Sequence, residues 1–313
     1  MLNLLKNRLI LDCSTLLPGP SVGKLLREKG ARVIKIESQK YPDKARVMGL
    51  FYNDLNENKE ILTLDLTEAS DRKQFNQLVI SAHGLIEGFR PQTKIKLGLD
   101  EKSLHALNPS LCIASLVGYP EDGPWRDRAG HNLNFEAITG CASLFTEMPA
   151  LPLGDLFSAY EAAFSLACAM DAVSRGQSLG IRISVSISEV LFQIQSGFFR
   201  TYGKTGVPPR PGETLFSGLY PCYRLYESSE GRRISVGAIE AKFWQKFVSL
   251  IGKPEFESEG YADGARGQEI IAEVQAVLGS KSWTEWKKVF ANADCCVEPV
   301  LDYSEIDRHG LQS

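Results

Sequence analysis

Short apolar stretches that predict β-strands alternate with helical spacings over the first part of the chain. Residues 9–11 and 33–36 form continuous, largely apolar runs, which predict two buried strands. Between them, Val22, Leu25 and Leu26 have the i, i+3, i+4 spacing of an amphipathic helix. A strand, a helix and a strand in such a short segment are typical of a βαβ unit.

The same alternation continues as far as residue 200. Further strands are predicted at residues 61–66, 85–86, 110–117 and 181–187. Helices are predicted around residues 75–79, over 159–174 and over 188–200. Strands that alternate with helices form a parallel sheet covered by helices. We therefore expect an α/β protein whose large, Rossmann-like domain spans residues 1–200.

A segment rich in proline and glycine follows this domain and predicts a linker over residues 201–218. The next predicted elements are a hairpin (residues 219–226 and 232–236) and helices near 241–251, 268–279 and 282–291. We expect these elements to form a smaller α+β domain over residues 219–296.

Composition excludes several classes of protein. The 313 residues are 43% hydrophobic and 23% charged, with a net charge of -3, so neither disorder nor a basic coat for nucleic acid is expected. No run of 18 apolar residues and no signal-peptide pattern occurs, which predicts no membrane association. The seven cysteines include no C-x-x-C pair, so we expect reduced thiols, a cytoplasmic protein and no metal site.

The turn after the first strand argues against a dinucleotide site. Residues 18–23 read Pro-Gly-Pro-Ser-Val-Gly, which we interpret as a breaker before the helix, and they lack the G-x-G-x-x-G pattern. Two prolines also remove amide donors that a pyrophosphate would need. Glu37 ends the second strand, where an acidic residue can bind a ribose. No P-loop is present.

Three residues are candidates for chemistry, and each also has a structural interpretation. His131 lies in a polar, glycine-containing stretch, where it either caps a helix or faces a cleft. Asp155, between a proline turn and an alanine-rich helix, is either an N-cap or a carboxyl with a raised pKa. Glu240 precedes a predicted helix and either caps it or holds a histidine. Spacing does not decide whether Glu240 meets His131.

Motifs spread over nearly the whole chain carry a family resemblance. They are Leu17-Pro18-Gly19-Pro20, Lys29 to Glu37, Asn58-Lys59, Leu64-Asp65-Leu66, Leu85 to Pro91, Leu97-Gly98-Leu99, Asn108-Pro109, Ala114-Ser115, Gly118-Tyr119 and Gly123-Pro124. In this combination the chain resembles the family III CoA-transferases (CaiB/BaiF type), which include formyl-CoA transferase and α-methylacyl-CoA racemase. Gly130-His131 and Val236 to Glu240 resemble the racemase branch most.

The resemblance implies roles for the three candidate residues. His131 and Asp155 would be the acid/base pair, and Glu240 would support His131. Inverting a carbon next to a thioester needs a base on one face and an acid on the other. We expect backbone N–H groups at the helix that begins near Asp155 to hold the enolate oxygen.

The resemblance also implies a CoA site and an assembly. Basic residues that contact the phosphates of CoA in the family are matched here by Arg90, Lys59 and Arg46. Guanidinium and ammonium groups suit such a contact because they are cationic donors to phosphate oxygens. Leu17, Pro18 and Gly130 belong to motifs that line that site. No cofactor beyond the CoA moiety of the substrate is implied. Relatives form interlocked homodimers, and residues 297–313 resemble the start of a C-terminal segment that returns to the large domain.

Three functions follow from this resemblance. The first is an acyl-CoA racemase or epimerase that inverts a 2-methylacyl-CoA by 1,1-proton transfer. The second is a CoA-transferase in which Asp155 is a nucleophile that forms an acyl anhydride. The third is a catalytically idle CoA-binding homologue. Leu156-Phe157-Ser158 replace the glycines that follow this aspartate in racemases, and we expect them either to narrow the acyl pocket or to move the backbone donors.

Overall fold

The computed structural model describes residues 3–309 and divides the chain into two compact units, Met1–Lys204 and Thr205–Ser313. The boundary falls inside the predicted linker. A helix that ends at Thr205 occupies the first residues of that linker, so the large unit extends slightly beyond residue 200.

The large unit contains a six-stranded sheet in the order β3-β2-β1-β4-β5-β6, with every pair of neighbours parallel. Its strands are β1 (Leu9–Asp12), β2 (Arg32–Glu37), β3 (Glu60–Thr63), β4 (Gly84–Glu87), β5 (Cys112–Val117) and β6 (Arg182–Ser186). Its helices are α1 (Pro18–Glu28), α2 (Leu50–Asn56), α3 (Ala69–Ser81), α4 (Pro91–Leu97), α5 (Glu101–Leu107), α6 (Asn132–Ile138), α7 (Leu153–Ser174), α8 (Ile187–Ile194) and α9 (Ser196–Thr205). The predicted Rossmann-like α/β architecture is confirmed.

Alternate residues of the strands supply two separate cores. Ile10 and Ile86 pack with α1 and α7 on one face of the sheet. Leu11 and Leu85, their neighbours in sequence, pack with α3 and α5 on the other face. Helices therefore cover both faces, which explains why these strands are continuous apolar runs rather than alternating ones.

Helix α7 is the longest helix of the described residues, and alanines dominate the face it buries. Ala159, Ala162 and Ala169 lie in the core between α7 and the sheet, so small side chains let the helix approach closely. By length and composition alone, Leu153–Ser174 could cross a membrane, a test that core helices of soluble proteins also pass. The helix begins six residues before the predicted start at residue 159, so Asp155 lies within it.

Two other predictions about helices are wrong. Pro18-Gly19-Pro20 is not a break before the helix but the first turn of α1. Proline is tolerated there because the first N–H groups of a helix have no partner within the helix, so the N–H that proline lacks is not missed. The single helix predicted over residues 188–200 is two helices, α8 and α9. The break is at Gln195, whose side-chain amide donates to the carbonyl of Leu191 near the end of α8.

The small unit has an antiparallel sheet in the order β7-β8-β9. Its elements are β7 (Tyr223–Glu227), β8 (Arg233–Gly237), α10 (Ala241–Leu250), α11 (Gly264–Leu278), α12 (Trp283–Phe290) and β9 (Val297–Pro299). The predicted hairpin and three helices are present. Because β9 pairs with β8, residues 297–299 complete this sheet. That residues 297–313 start a segment returning to the large unit stays a prediction.

Candidate active site

Loops at the carboxyl edge of the parallel sheet surround a cavity of about 480 Å³. Strands β1 and β4 are neighbours there, and the chain order of the sheet reverses between them. Ligands of open α/β sheets bind at this kind of position. The cavity lining comes from the end of β5 and the loops after β1, β4 and β5, from the starts of α1, α7 and α8, and from Met48, Phe51 and Phe135.

Asp155 and His131 both line this cavity. His131 is the N-cap residue of α6, has an exposed side chain, and its backbone N–H donates to Asn134 Oδ1 at 3.0 Å. Asp155 lies in the first turn of α7, whose N-cap is Pro152, so the N-cap interpretation of Asp155 is wrong. Leu17, Pro18 and Gly130 line the same cavity, as the motif positions predict.

The carboxyl group of Asp155 has a raised pKa. Burial raises its pKa to about 6, and the charge of Glu136 adds to that rise. In the described part of the chain, no side chain or amide donates a hydrogen bond to its oxygens. A carboxyl that titrates near neutral pH can give a proton and take one back.

The start of α7 is held by residues that sequence reasoning did not single out. The backbone N–H of Asp155 donates to Asn132 Oδ1 at 3.1 Å. The side-chain amide of Asn132 donates to Glu136 Oε1 at 2.7 Å, and the N–H of Leu153 donates to the same oxygen at 2.9 Å. The amides of Leu153 and Asp155 are therefore already used, and the expectation that this helix start holds the enolate oxygen stays a prediction. The i, i+4 spacing of Asn132 and Glu136 was the available signal.

Lys59 is a structural residue in the large unit. Its side chain has no exposed surface, and its ammonium donates to Asp12 Oδ2 at 2.9 Å, to the Pro20 carbonyl at 2.8 Å and to Asn56 Oδ1 at 3.1 Å. Burial acts to raise the pKa of Asp12, but the charges of Lys59 and Lys35, with the hydrogen bonds from Lys59 and Ser14, together leave that pKa below its ordinary value. The predicted contact between Lys59 and a CoA phosphate is therefore not supported, because the three donors of the ammonium are taken.

Arg46 is likewise engaged within the large unit. Its guanidinium makes two hydrogen bonds of 2.7 Å to Glu37 and stacks over the ring of Tyr52. Burial acts to raise the pKa of Glu37, but the hydrogen bonds from Arg46, Asp43 and Tyr52 lower it to about 2. Glu37 is thus not available to hold a ribose, and only the exposed part of Arg46 is left for a ligand.

Arg90 lies at a second hollow, of about 430 Å³, that adjoins the cavity. Both are lined by Gly88, Gly130 and His131. Arg126 and Arg128 also line this hollow, and all three arginines are exposed. A cluster of guanidinium groups suits an anion such as a phosphate.

A third hollow, of about 280 Å³, lies over the ends of β1, β2 and β3. It shares Ser14 and Thr15 with the cavity of Asp155 and His131, and Lys96 and Thr67 add a cation and a hydroxyl. Among residues 3–309, no group of three His, Cys, Asp or Glu side chains is arranged to hold a metal ion.

Glu240 belongs to the small unit. It is exposed and is the N-cap residue of α10, although its side chain makes no capping hydrogen bond. The prediction that Glu240 supports His131 joins residues of two different units and stays a prediction.

Comparison with known families decides the relationship of the chain. The model of the family described as "CoA-transferase family III" matches residues 5–312. The protein belongs to CoA-transferase family III. It is 28% identical over 312 residues to CaiB/baiF CoA-transferase family protein ZK892.4 of Caenorhabditis elegans, covering 96% of this chain and 87% of that one. It is also 28% identical to alpha-methylacyl-CoA racemase of Homo sapiens, covering 96% and 78%.

A solved structure confirms the fold of this family III member. The crystal structure of Rv3272 from Mycobacterium tuberculosis has a TM-score of 0.83 and 25% sequence identity, and the match covers 98% of this chain and 85% of that chain.

The residues after Asp155 differ from our expectation for a family III racemase. Leu156 and Phe157 do not line the cavity of Asp155 and His131, and Phe157 is 45% exposed. Ser158 is buried, and its hydroxyl donates to the carbonyl of Asp155 at 3.1 Å. These residues therefore do not narrow the cavity, because the helix turns their side chains away from it.

Proposed function

We propose that the protein inverts the α-carbon of a 2-methylacyl-CoA thioester by 1,1-proton transfer. The observation that carries this proposal is the presence of His131 and Asp155 on the wall of one cavity, at the starts of two different helices. An imidazole and a carboxyl group are the residue types that a two-base inversion needs.

In this mechanism, one residue removes the α-proton and leaves an enolate, and the other residue donates a proton to the opposite face. The two residues exchange roles for the other enantiomer. Because the pKa of Asp155 is raised to about 6, both of its protonation states are populated near neutral pH. The enolate oxygen is held by groups other than the amides of Leu153 and Asp155, which are already bonded.

The CoA moiety is the only cofactor in this proposal. We place its phosphates near the arginine-lined hollow of Arg90, Arg126 and Arg128, which adjoins the cavity. Neither the ammonium of Lys59 nor the Nε and Nη2 groups of Arg46, which are bonded to Glu37, are available for this contact. We further propose a cytoplasmic homodimer, interlocked as in the relatives, in which Glu240 completes the site. Neither nucleic acid nor membrane is a proposed partner.

The test is to incubate the protein in D2O with one enantiomer of a 2-methylacyl-CoA. We expect the other enantiomer to accumulate with deuterium at C2, measured by chiral separation and mass spectrometry. His131→Ala and Asp155→Asn should both lose inversion. His105→Ala is the control, since His105 lies on α5 and lines none of the three hollows. Inversion that persists in Asp155→Asn would contradict the proposal.

A CoA-transferase is the second candidate. It is favoured by the unbonded carboxyl of Asp155 in the cavity and by a relative described as a CoA-transferase family protein. In that reaction Asp155 would attack the thioester, expel CoA thiolate and form an acyl anhydride. A covalent acyl or CoA adduct on Asp155, found by mass spectrometry of the intact protein, would support it. Binding of CoA esters with neither adduct nor exchange would indicate an idle homologue.

A further inference from the structure

Glu136 is a buried carboxylate that is hydrogen-bonded to the first turn of α7, the helix of Asp155, and does not line the cavity. It is 1% exposed and lies on α6, within the helix that His131 begins. One of its oxygens accepts hydrogen bonds from the Asn132 side chain at 2.7 Å and from the Leu153 N–H at 2.9 Å. Asn132 in turn accepts the N–H of Asp155 at 3.1 Å. A continuous chain of hydrogen bonds thus connects Glu136 to the backbone of Asp155.

We propose that Glu136 is the positioning residue that, through Asn132, holds Asp155 in place for proton transfer. This inference rests on the proposed function and names a further residue that it requires. Glu136 and Asn132 lie one helical turn apart on α6, while Leu153 and Asp155 lie in the first turn of α7. The same four residues therefore fix the start of α7 against α6.

The charge of Glu136 has a second effect on the same carboxyl. A buried negative charge near Asp155 disfavours its ionised form, and Glu136 is the charged neighbour that raises the pKa of Asp155 after burial. His131 is the other titratable group on the cavity wall in the described residues. The remaining charged residues on elements that contact α7 are Lys24, Arg27 and Glu28 of α1, Arg182 of β6 and Glu189 of α8, and none of these lines the cavity.

Glu136→Gln separates the two effects. Its amide oxygen can still accept from Asn132 and Leu153, while the charge is removed. With the enantiomer from which Asp155 removes the α-proton, we expect the acidic limb of the pH profile of kcat/KM to move to lower pH by ~0.5 unit or more, since the pKa of Asp155 falls when the neighbouring negative charge is lost. Glu189→Gln is the matched control, because it removes the same charge from an exposed position on α8. We expect its profile to match the wild type.

Removal of the acceptor tests the positioning role. We expect Glu136→Ala to lower kcat by about 10–100-fold, because the start of α7 loses its partner and Asp155 shifts. KM should change much less, since Glu136 does not line the cavity. Recovery of kcat in Glu136→Gln would show that the hydrogen bonds carry this role. Where Glu136→Ala does not fold, Asn132→Ala is the substitute, with the same expected fall in kcat.

An NMR titration that does not depend on enzyme activity separates this inference from the proposed function. The carboxyl carbon of Asp155, labelled with 13C and assigned by its loss in Asp155→Asn, can be titrated by NMR in the wild type and in Glu136→Gln. A lower midpoint in Glu136→Gln supports the inference even where no racemisation is found. An unchanged midpoint together with an unchanged kcat in Glu136→Ala would overturn it.

Discussion

Lys59 and Asp12 form an ion pair whose two side chains have no exposed surface. The family resemblance predicted that Lys59 contacts CoA, and spacing in the sequence could not predict its burial. Asp12 ends β1 and Lys59 precedes β3, so the two charges meet only after β2 has been placed between these strands. Gly23 of α1 is part of the same arrangement, because a Cβ there would lie 2.9 Å from both Asp12 Oδ2 and Lys59 Nζ.

Lys59→Met tests this structural role. We expect it to lower the free energy of unfolding by about 3–5 kcal/mol, because it leaves the buried Asp12 carboxylate without its partner. Urea unfolding measures the change. Lys24→Met is the control, since Lys24 pairs with the exposed Asp54, and its cost should stay below ~1 kcal/mol. Unchanged stability together with weaker CoA binding would instead make Lys59 a phosphate ligand.

At the scale of elements, the sequence predicts most strands and helices of both units, but it misses the helices α2, α4, α5 and α6 and misinterprets two helix starts. The apolar runs 9–11 and 33–36 became β1 and β2 because buried parallel strands need apolar residues on both faces. Pro18-Gly19-Pro20 was misinterpreted, because proline disrupts a helix interior but fits its first turn. The start of α7 at Leu153 was missed because Asn132 and Glu136, distant in sequence, supply its hydrogen bonds.

Gly154 allows α7 to begin close to α6 and α8. A Cβ at this position would lie 2.8 Å from Ile187 Cγ2 and 3.0 Å from Asn132 Oδ1. We expect Gly154→Ala to cost about 1–3 kcal/mol of stability through overpacking and to lower kcat by moving Asp155. Gly197→Ala on α9 is the control, since no heavy atom lies within 4 Å of its added Cβ. Thermal unfolding and initial rates measure both effects, and wild-type values for Gly154→Ala would contradict this view.

At the scale of the whole molecule, the two catalytic candidates lie in one unit and Glu240 lies in the other. The resemblance identified His131 and Asp155, and the sheet topology explains why they line one cavity: the loops after β1, β4 and β5 surround it. Periodicity alone left each of these residues with a structural alternative. It also could not assign Glu240 a partner, because no spacing in a sequence relates residues of separate units.

The proposed homodimer gives a prediction at the same scale. Phe157, Tyr160 and Phe164 follow the i, i+3, i+7 spacing of one face of α7 and are 45%, 62% and 69% exposed. An exposed aromatic face of this kind is typical of an interface. We expect light scattering to give twice the 34.6 kDa mass of one chain, and Phe164→Glu to shift the protein toward the monomer. A wild-type protein that is monomeric at micromolar concentration would contradict the dimer.

The most direct test of the two-base proposal treats the enantiomers separately. Each enantiomer of a 2-methylacyl-CoA is incubated in D2O with His131→Ala and with Asp155→Asn, and deuterium at C2 is followed by mass spectrometry. Each variant retains one base, so each should exchange the α-proton of one enantiomer only, and the two variants should act on opposite enantiomers. Exchange of the same enantiomer by both variants, or exchange of both enantiomers by either one, would contradict His131 and Asp155 as the bases on opposite faces.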